Sequence, residues 1–296
     1  MLTSLASQDS APDSSSEFDY LLDKVAAHTF ATEPFRHLLI EDFLSPEHLS
    51  QVITSPQICL PLAPDTATLL DSLQRGGYAV EPFPGCTTDV PLYLRYLETG
   101  EWPNGNGVVE GVGLTLRLKT FTDPFLARLL TFLNSPRFHS AMAQKFGVER
   151  PTRVETAVQK YLTGYEISPH PDIRSKCLTY LLNINTALEA DSLDIHTHLL
   201  RFNKQKEFIY SFWENNPEFD RCWVPWRWCT SVVTTSANNS VILFPAGNRS
   251  LHAVKLKYDH LPLQRTQIYG NLWYTDVPFA AGYPMTYKQF DFQPPA

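Results

Sequence analysis

The sequence predicts a β-rich fold, a sandwich or jelly-roll barrel, with a helical supporting region ahead of it. Two observations carry this. Beyond about residue 150, segments rich in β-branched and aromatic residues recur and are divided by Gly, Pro and Asn turns. Only one helical stretch, near 205–215, interrupts them, whereas a parallel βαβ sheet needs helices between its strands.

The chain opens on a Ser/Asp-rich stretch, residues 1–18, too poor in large apolar groups to offset the entropy of ordering, and a mobile tail is expected there. From 19 to 150 the punctuation is helical. Ser45-Pro46, Asp123-Pro124 and Ser135-Pro136 each place a capping side chain before a proline at the first helical position, and Gly147 can close the last helix. Residues 35–43 read as a strand, and 82–106 as a loop with Pro and Gly turn signals. Further strands are expected at 153–162, 176–184, 230–235, 240–244, 251–257 and 264–274. Residues 151–276 therefore form the β core and 277–296 a C-terminal extension. No linker in the middle is long enough to separate two domains, so 19–296 is expected to fold as one unit.

Composition narrows the function classes. With 43% hydrophobic and 19% charged residues over 296 positions, the chain can bury a sizeable core. The net charge of −7 disfavours nucleic acid or an anionic membrane as partner, because phosphate binding wants a basic surface. No apolar run is long enough to span a bilayer and the start lacks a secretory pattern, so a soluble, cytoplasmic protein is expected. Five scattered cysteines without a CxxC pair read as free thiols.

The sharpest local feature is His170-Pro171-Asp172. In an extended chain, residues two apart point to the same side, and Pro171 pushes His170 out of the helical region. The pattern alone is cheap, since this composition supplies about half of one His-x-Asp match by chance. Downstream residues give it context. Alternation in 251–257 puts His252 on the apolar face with Val254 and Leu256, away from Lys255 and Lys257. Arg265 opens the last strand and shares a face with Gln267, Tyr269, Asn271 and Trp273, a polar row that lines either a pocket or solvent. Two imidazoles and one carboxylate leave coordination positions open, which suits non-haem Fe(II). A rival cluster, Asp194-Ile-His196-Thr-His198, has equal strand spacing but nothing downstream to complete it.

Tyr161-Leu-Thr-Gly164-Tyr-Glu-Ile-Ser-Pro-His170-Pro-Asp172, then Lys176-Cys-Leu-Thr-Tyr-Leu-Leu-Asn183, then Ser250-Leu-His252-Ala-Val and Arg265, resemble the Fe(II)/2-oxoglutarate-dependent oxygenases, in particular the prolyl-hydroxylase-like branch. The upstream run from Pro34-Phe35-Arg36-His37 to Phe43-Leu44-Ser45 is similar to the lead-in of many of them. The resemblance implies a double-stranded β-helix (jelly-roll) core packed against the helical region. It implies that His170, Asp172 and His252 hold the iron and that Arg265 pairs with the distal carboxylate of 2-oxoglutarate. It also implies a cosubstrate hydrogen bond from Tyr161. Asn183 stands where prolyl hydroxylases often carry a second tyrosine, and Gln267 where other branches place serine, so both enter the candidate cosubstrate site. Fe(II), 2-oxoglutarate and O2 are the implied cofactors, with ascorbate as a supporting reductant.

The implied activity is hydroxylation of a small molecule, an amino acid or natural-product intermediate, with succinate and CO2 as co-products. Desaturation or cyclisation is a variant of the same chemistry, and Asp172 argues against halogenation, which needs a small residue there. Hydroxylation of a peptide or protein, prolyl-type, is the alternative within enzymes; a non-catalytic jelly-roll binding or sensing module is the alternative outside them. Residues 208–228, with four of the six tryptophans, read either as a cap on one end of the barrel or as a lid over the substrate.

Overall fold

The computed structural model describes residues 17–101, 107–109, 111–277 and 285–292. Most of the expected tail lies outside them, but Phe18 does not belong to it: that ring is 1% exposed and packs against Phe125 and Phe132 with centroids 5.7 and 5.4 Å away.

The supporting region comprises α1 (Tyr20–Ala27), β1 (Leu38–Ile40), α2 (Pro46–Thr54), α3 (Thr66–Arg75), β2 (Tyr78–Val80), α4 (Val90–Thr99), β3 (Thr115–Leu118), α5 (Pro124–Leu133) and α6 (Pro136–Phe146). The core follows with β4 (Thr152–Tyr161), β5 (Glu166–His170), β6 (Lys176–Asn183), β7 (Thr197–Phe202), α7 (Phe208–Asn215), β8 (Cys229–Thr235), β9 (Val241–Pro245), β10 (His252–Lys255) and β11 (Arg265–Tyr274).

The three caps that precede a proline act as the sequence predicts. Ser45, Asp123 and Ser135 accept backbone N–H bonds from the first turns of α2, α5 and α6, and Gly147 ends α6 in the left-handed conformation. The 82–106 reading needs correction, because α4 lies inside it. Asp89 caps that helix and Gly100 closes it at φ 67°, but only Tyr93 is buried, so the apolar stripe is too narrow to show in the sequence.

Strands β4 to β11 alternate between two antiparallel sheets, except that β7 and β8 follow each other in the smaller one. The larger has the order β1-β9-β6-β11-β4-β3-β2 and the smaller β5-β10-β7-β8. With β11 returning between β4 and β6, and β10 between β5 and β7, this is the double-stranded β-helix. Strands β5 and β7 were not among the expected ones. Pro169 interrupts the signal in β5, and it is tolerated there because β5 is an edge strand.

Alternation divides the larger sheet. Its outer face, with Leu178, Tyr180, Leu182, Ile268 and Leu272, shares one apolar core with the buried sides of the helices; its inner face looks toward the smaller sheet. Gly270 is required on the outer face, because Tyr180 of β6 lies across it to reach the Thr156 hydroxyl of β4. A Cβ at 270 would stand 2.0 Å from the Tyr180 ring. Gly270→Ala is therefore expected to cost about 1–3 kcal/mol of stability by overpacking. Denaturant titration checks this, and an unchanged midpoint would contradict it.

All five cysteines are free. No helix among the described residues is long and apolar enough to cross a membrane.

Candidate metal centre and cosubstrate cavity

His170 ends β5 and His252 begins β10, and the two strands pair so that these residues stand directly opposite each other. Their ring centroids are 4.4 Å apart. Each imidazole is fixed by the carbonyl two residues before it: His170 Nδ1 lies 2.8 Å from Ser168 O and His252 Nδ1 lies 3.0 Å from Ser250 O. A carbonyl only accepts, so both Nδ1 atoms carry the proton and both Nε2 atoms present a lone pair. Asp172 follows β5, with Oδ1 3.9 Å from His252 Nε2. One donor atom from each of the three residues lies within 4.8 Å of the others, and all three are buried. No other such group occurs among the described residues.

Electrostatics prepare these donors for a cation. Burial, reinforced by His252, pushes His170 down to about 3, and burial also lowers His252, so both rings are neutral near pH 7. Burial would raise the Asp172 carboxyl, but the Lys176 ammonium beside it outweighs burial and holds the group below its ordinary value. Lys176 Nζ donates to Asp172 Oδ1 at 2.6 Å, and Thr179 Oγ1 donates to Oδ2 at 2.6 Å. Two neutral nitrogen donors with oriented lone pairs and one ionised oxygen fit Fe(II), with coordination positions left over.

The rival cluster does not converge. His196 Nε2 donates to Ala190 O at 2.7 Å, whereas His198 pairs with Ser231 and with Asp194, 3.3 Å away.

The three donors open onto a cavity of about 480 Å³, and the inner row of β11 (Arg265, Gln267, Tyr269 and Trp273) lines its wall. The row therefore faces a pocket, not solvent. Arg265 is 1% exposed and has no carboxylate within ion-pair reach among the described residues. Its Nη2 donates to Thr197 Oγ1 at 3.2 Å, its guanidinium carbon lies 4.6 Å from the Tyr161 ring centre, and its Nε has no partner. Burying a cation unpaired is costly, and burial accordingly lowers its pKa. An anion entering the cavity would relieve that cost.

Tyr161 lines the same cavity. Its hydroxyl accepts from Gln159 Nε2 at 2.7 Å, which leaves its own proton to donate, and burial pushes it up to about 12, so the proton stays. Gln267 lines the wall and donates to Asn183 Oδ1 at 2.8 Å. Asn183 stands behind it, outside the lining, with its amide donating to Thr235 O and Ala237 O. It would reach a cosubstrate only through Gln267.

Among the lining residues that carried no role in the sequence reading are Lys176, Thr179, Tyr165 and Thr197. The first three fall inside the motif, and Thr179 shares the inward face with Asn183, a signal that alternation already held. Thr197 was hidden because β7 was not foreseen. The tryptophans split between both expectations: Trp213 and Trp228 are core, whereas Trp223 lines the cavity with its ring 6.1 Å from His170.

Other buried histidines predict an acid limb. Burial pushes His196 and His260 down to about 4 from an ordinary 6.5. The unfolded chain therefore binds more protons between these values, and stability must fall as pH drops from 6.5 toward 4. The slope is ~1.4 kcal/mol per pH unit for each such group. Denaturant titrations at pH 7, 6 and 5 should show the loss, and a flat profile would contradict it.

The chain is similar in structure to a prolyl-4-hydroxylase from Pseudomonas putida, at 11% identity over 87% of this chain and 98% of that one, with a TM-score of 0.41. It is similar to a prolyl hydroxylase from Trichoplax adhaerens, in complex with a hypoxia inducible factor oxygen degradation domain peptide fragment, at 12% identity over 88% and 90% of the chains (TM-score 0.41). A third likeness is to an oxidoreductase of the 2OG-Fe(II) oxygenase family from Burkholderia pseudomallei, at 11% over 72% and 94% (TM-score 0.35). No family model matches the chain, and no curated protein matches it in sequence.

Proposed function

We propose that the protein is an Fe(II)- and 2-oxoglutarate-dependent oxygenase that hydroxylates an unactivated C–H bond of a small molecule, an amino acid or natural-product intermediate. One observation carries the reading: the cavity that holds three convergent metal donors also holds a fully buried guanidinium with an unpartnered N–H. A keto diacid answers both demands, because one end can meet a metal while the other meets an arginine.

In this reading His170, Asp172 and His252 hold the iron, which supplies the activation of O2 coupled to decarboxylation of 2-oxoglutarate to succinate. Arg265 and Thr197 receive the distal carboxylate, Tyr161 donates a hydrogen bond to the cosubstrate, and Gln267 is steadied by Asn183. The buried, aromatic wall formed by Tyr161, Tyr165 and Tyr269 limits water around the reacting groups. A cavity of about 480 Å³ has to accommodate cosubstrate and substrate together, which supports a small substrate over a folded polypeptide.

The test supplies Fe(II), 2-oxoglutarate and ascorbate, then screens metabolite and peptide pools for a +16 mass change coupled to succinate. Product from the metabolite pool is expected. Product from peptides alone would move the assignment to a peptidyl hydroxylase. Binding of metal and 2-oxoglutarate with no turnover in either pool would leave a sensing module.

A further inference from the structure

The oxygen of Asp172 nearest His252 is already taken by a cation. Lys176 Nζ lies 2.6 Å from Oδ1, the same atom that stands 3.9 Å from His252 Nε2. Both side chains are buried, at 8% and 6% exposure, so little solvent screens them. The other oxygen, Oδ2, accepts from the neutral Thr179 hydroxyl at 2.6 Å. The two partners of this carboxylate therefore differ in kind. Thr179 orients it without charge, whereas Lys176 orients it and cancels its charge.

We propose that Lys176 is a resident counter-cation that competes with the metal ion for Asp172. This rests on the metal reading given above. In the metal-free protein the ammonium neutralises a carboxylate that would otherwise be buried alone. When a divalent ion takes the same oxygen, two cations share one anion in a poorly screened site and repel each other. The ammonium has somewhere to go: the rings of Trp273 and Tyr269, with centres 5.3 and 5.8 Å from Nζ, flank it on the wall of the same cavity. Displaced onto them, it keeps a favourable environment and vacates the oxygen.

The proposal predicts opposite signs for the two partners. A residue that only orients a ligand weakens metal binding about 10- to 100-fold when removed. A competing cation strengthens it. Binding of Co(II), an air-stable probe, is measured by calorimetry on the full chain. Lys176→Met should bind Co(II) at least about tenfold more tightly than the wild type, and Thr179→Val more weakly. Lys176→Gln, neutral but still able to donate to Asp172, should share the direction of Lys176→Met and serves if the latter folds poorly. A thermal scan adds a second readout: metal-free Lys176→Met should melt lower than the wild type and gain more from Co(II). Unchanged or weaker binding in both Lys176 variants would overturn the competition. Asp172→Asn separates this from failure of the metal reading itself: if it binds Co(II) as well as the wild type does, the site is not a metal centre and the inference falls with it.

Discussion

Arg265→Ala should raise the 2-oxoglutarate concentration for half-maximal turnover by about 30- to 1000-fold. That corresponds to about 2–4 kcal/mol for truncating one partner of a buried, charged hydrogen-bonded pair. The environment of the guanidinium sets this size. It is fully buried, its only hydrogen-bond partner among the described residues is the Thr197 hydroxyl, and its Nε faces nothing. The cosubstrate carboxylate would meet a guanidinium whose Nε no oxygen of the described residues already occupies. The same circumstance separates binding from folding. Removing an unpaired buried cation relieves a cost, so the melting temperature should not fall as it would for a lost ion pair. Arg265→Lys should recover little, because an ammonium does not reproduce the two parallel N–H bonds of the guanidinium fork. An unchanged 2-oxoglutarate requirement in Arg265→Ala would place the anchor elsewhere.

Removing Asp172 should abolish iron-dependent succinate formation, and the structure dictates how the variant must be made. Asp172→Ala alone strands the Lys176 ammonium in a site where both side chains are nearly inaccessible. Breaking one half of such a buried pair costs about 3–5 kcal/mol. A dead but unstable protein would then prove little. Asp172→Ala combined with Lys176→Met removes both charges together, and this double variant should stay folded while losing succinate formation and Co(II) binding. Full activity in it would remove Asp172 from the metal site.

Much of this centre was legible before any coordinates. His170 and Asp172 are two apart in extended chain, and alternation correctly turned His252 inward. The row from Arg265 to Trp273 declared itself by period two, although only the structure shows that it faces a cavity. What the sequence withheld was pairing. No local pattern shows that residue 170 stands opposite residue 252, because register is set by side-chain burial on both strands at once. Asn183 shows the same limit. Alternation puts it on the same face as the cosubstrate residues, but the 235–237 backbone binds its amide and seats it behind Gln267. The Lys176–Asp172 pair was invisible for a related reason: a spacing of four implies contact in a helix, yet here it arises from a turn between two sheets. Strand β5, short and broken by Pro169, carries too little apolar pattern to announce itself.

Because the facing imidazoles belong to two neighbouring strands held by main-chain bonds, a bound ion would act as a rivet through β5 and β10, at the margin of the smaller sheet. Edge strands fray first, so loading should slow amide exchange most along 166–170 and 252–255, ahead of the helices. Uniform protection across the chain would show instead that the ion tightens the whole fold and not this seam.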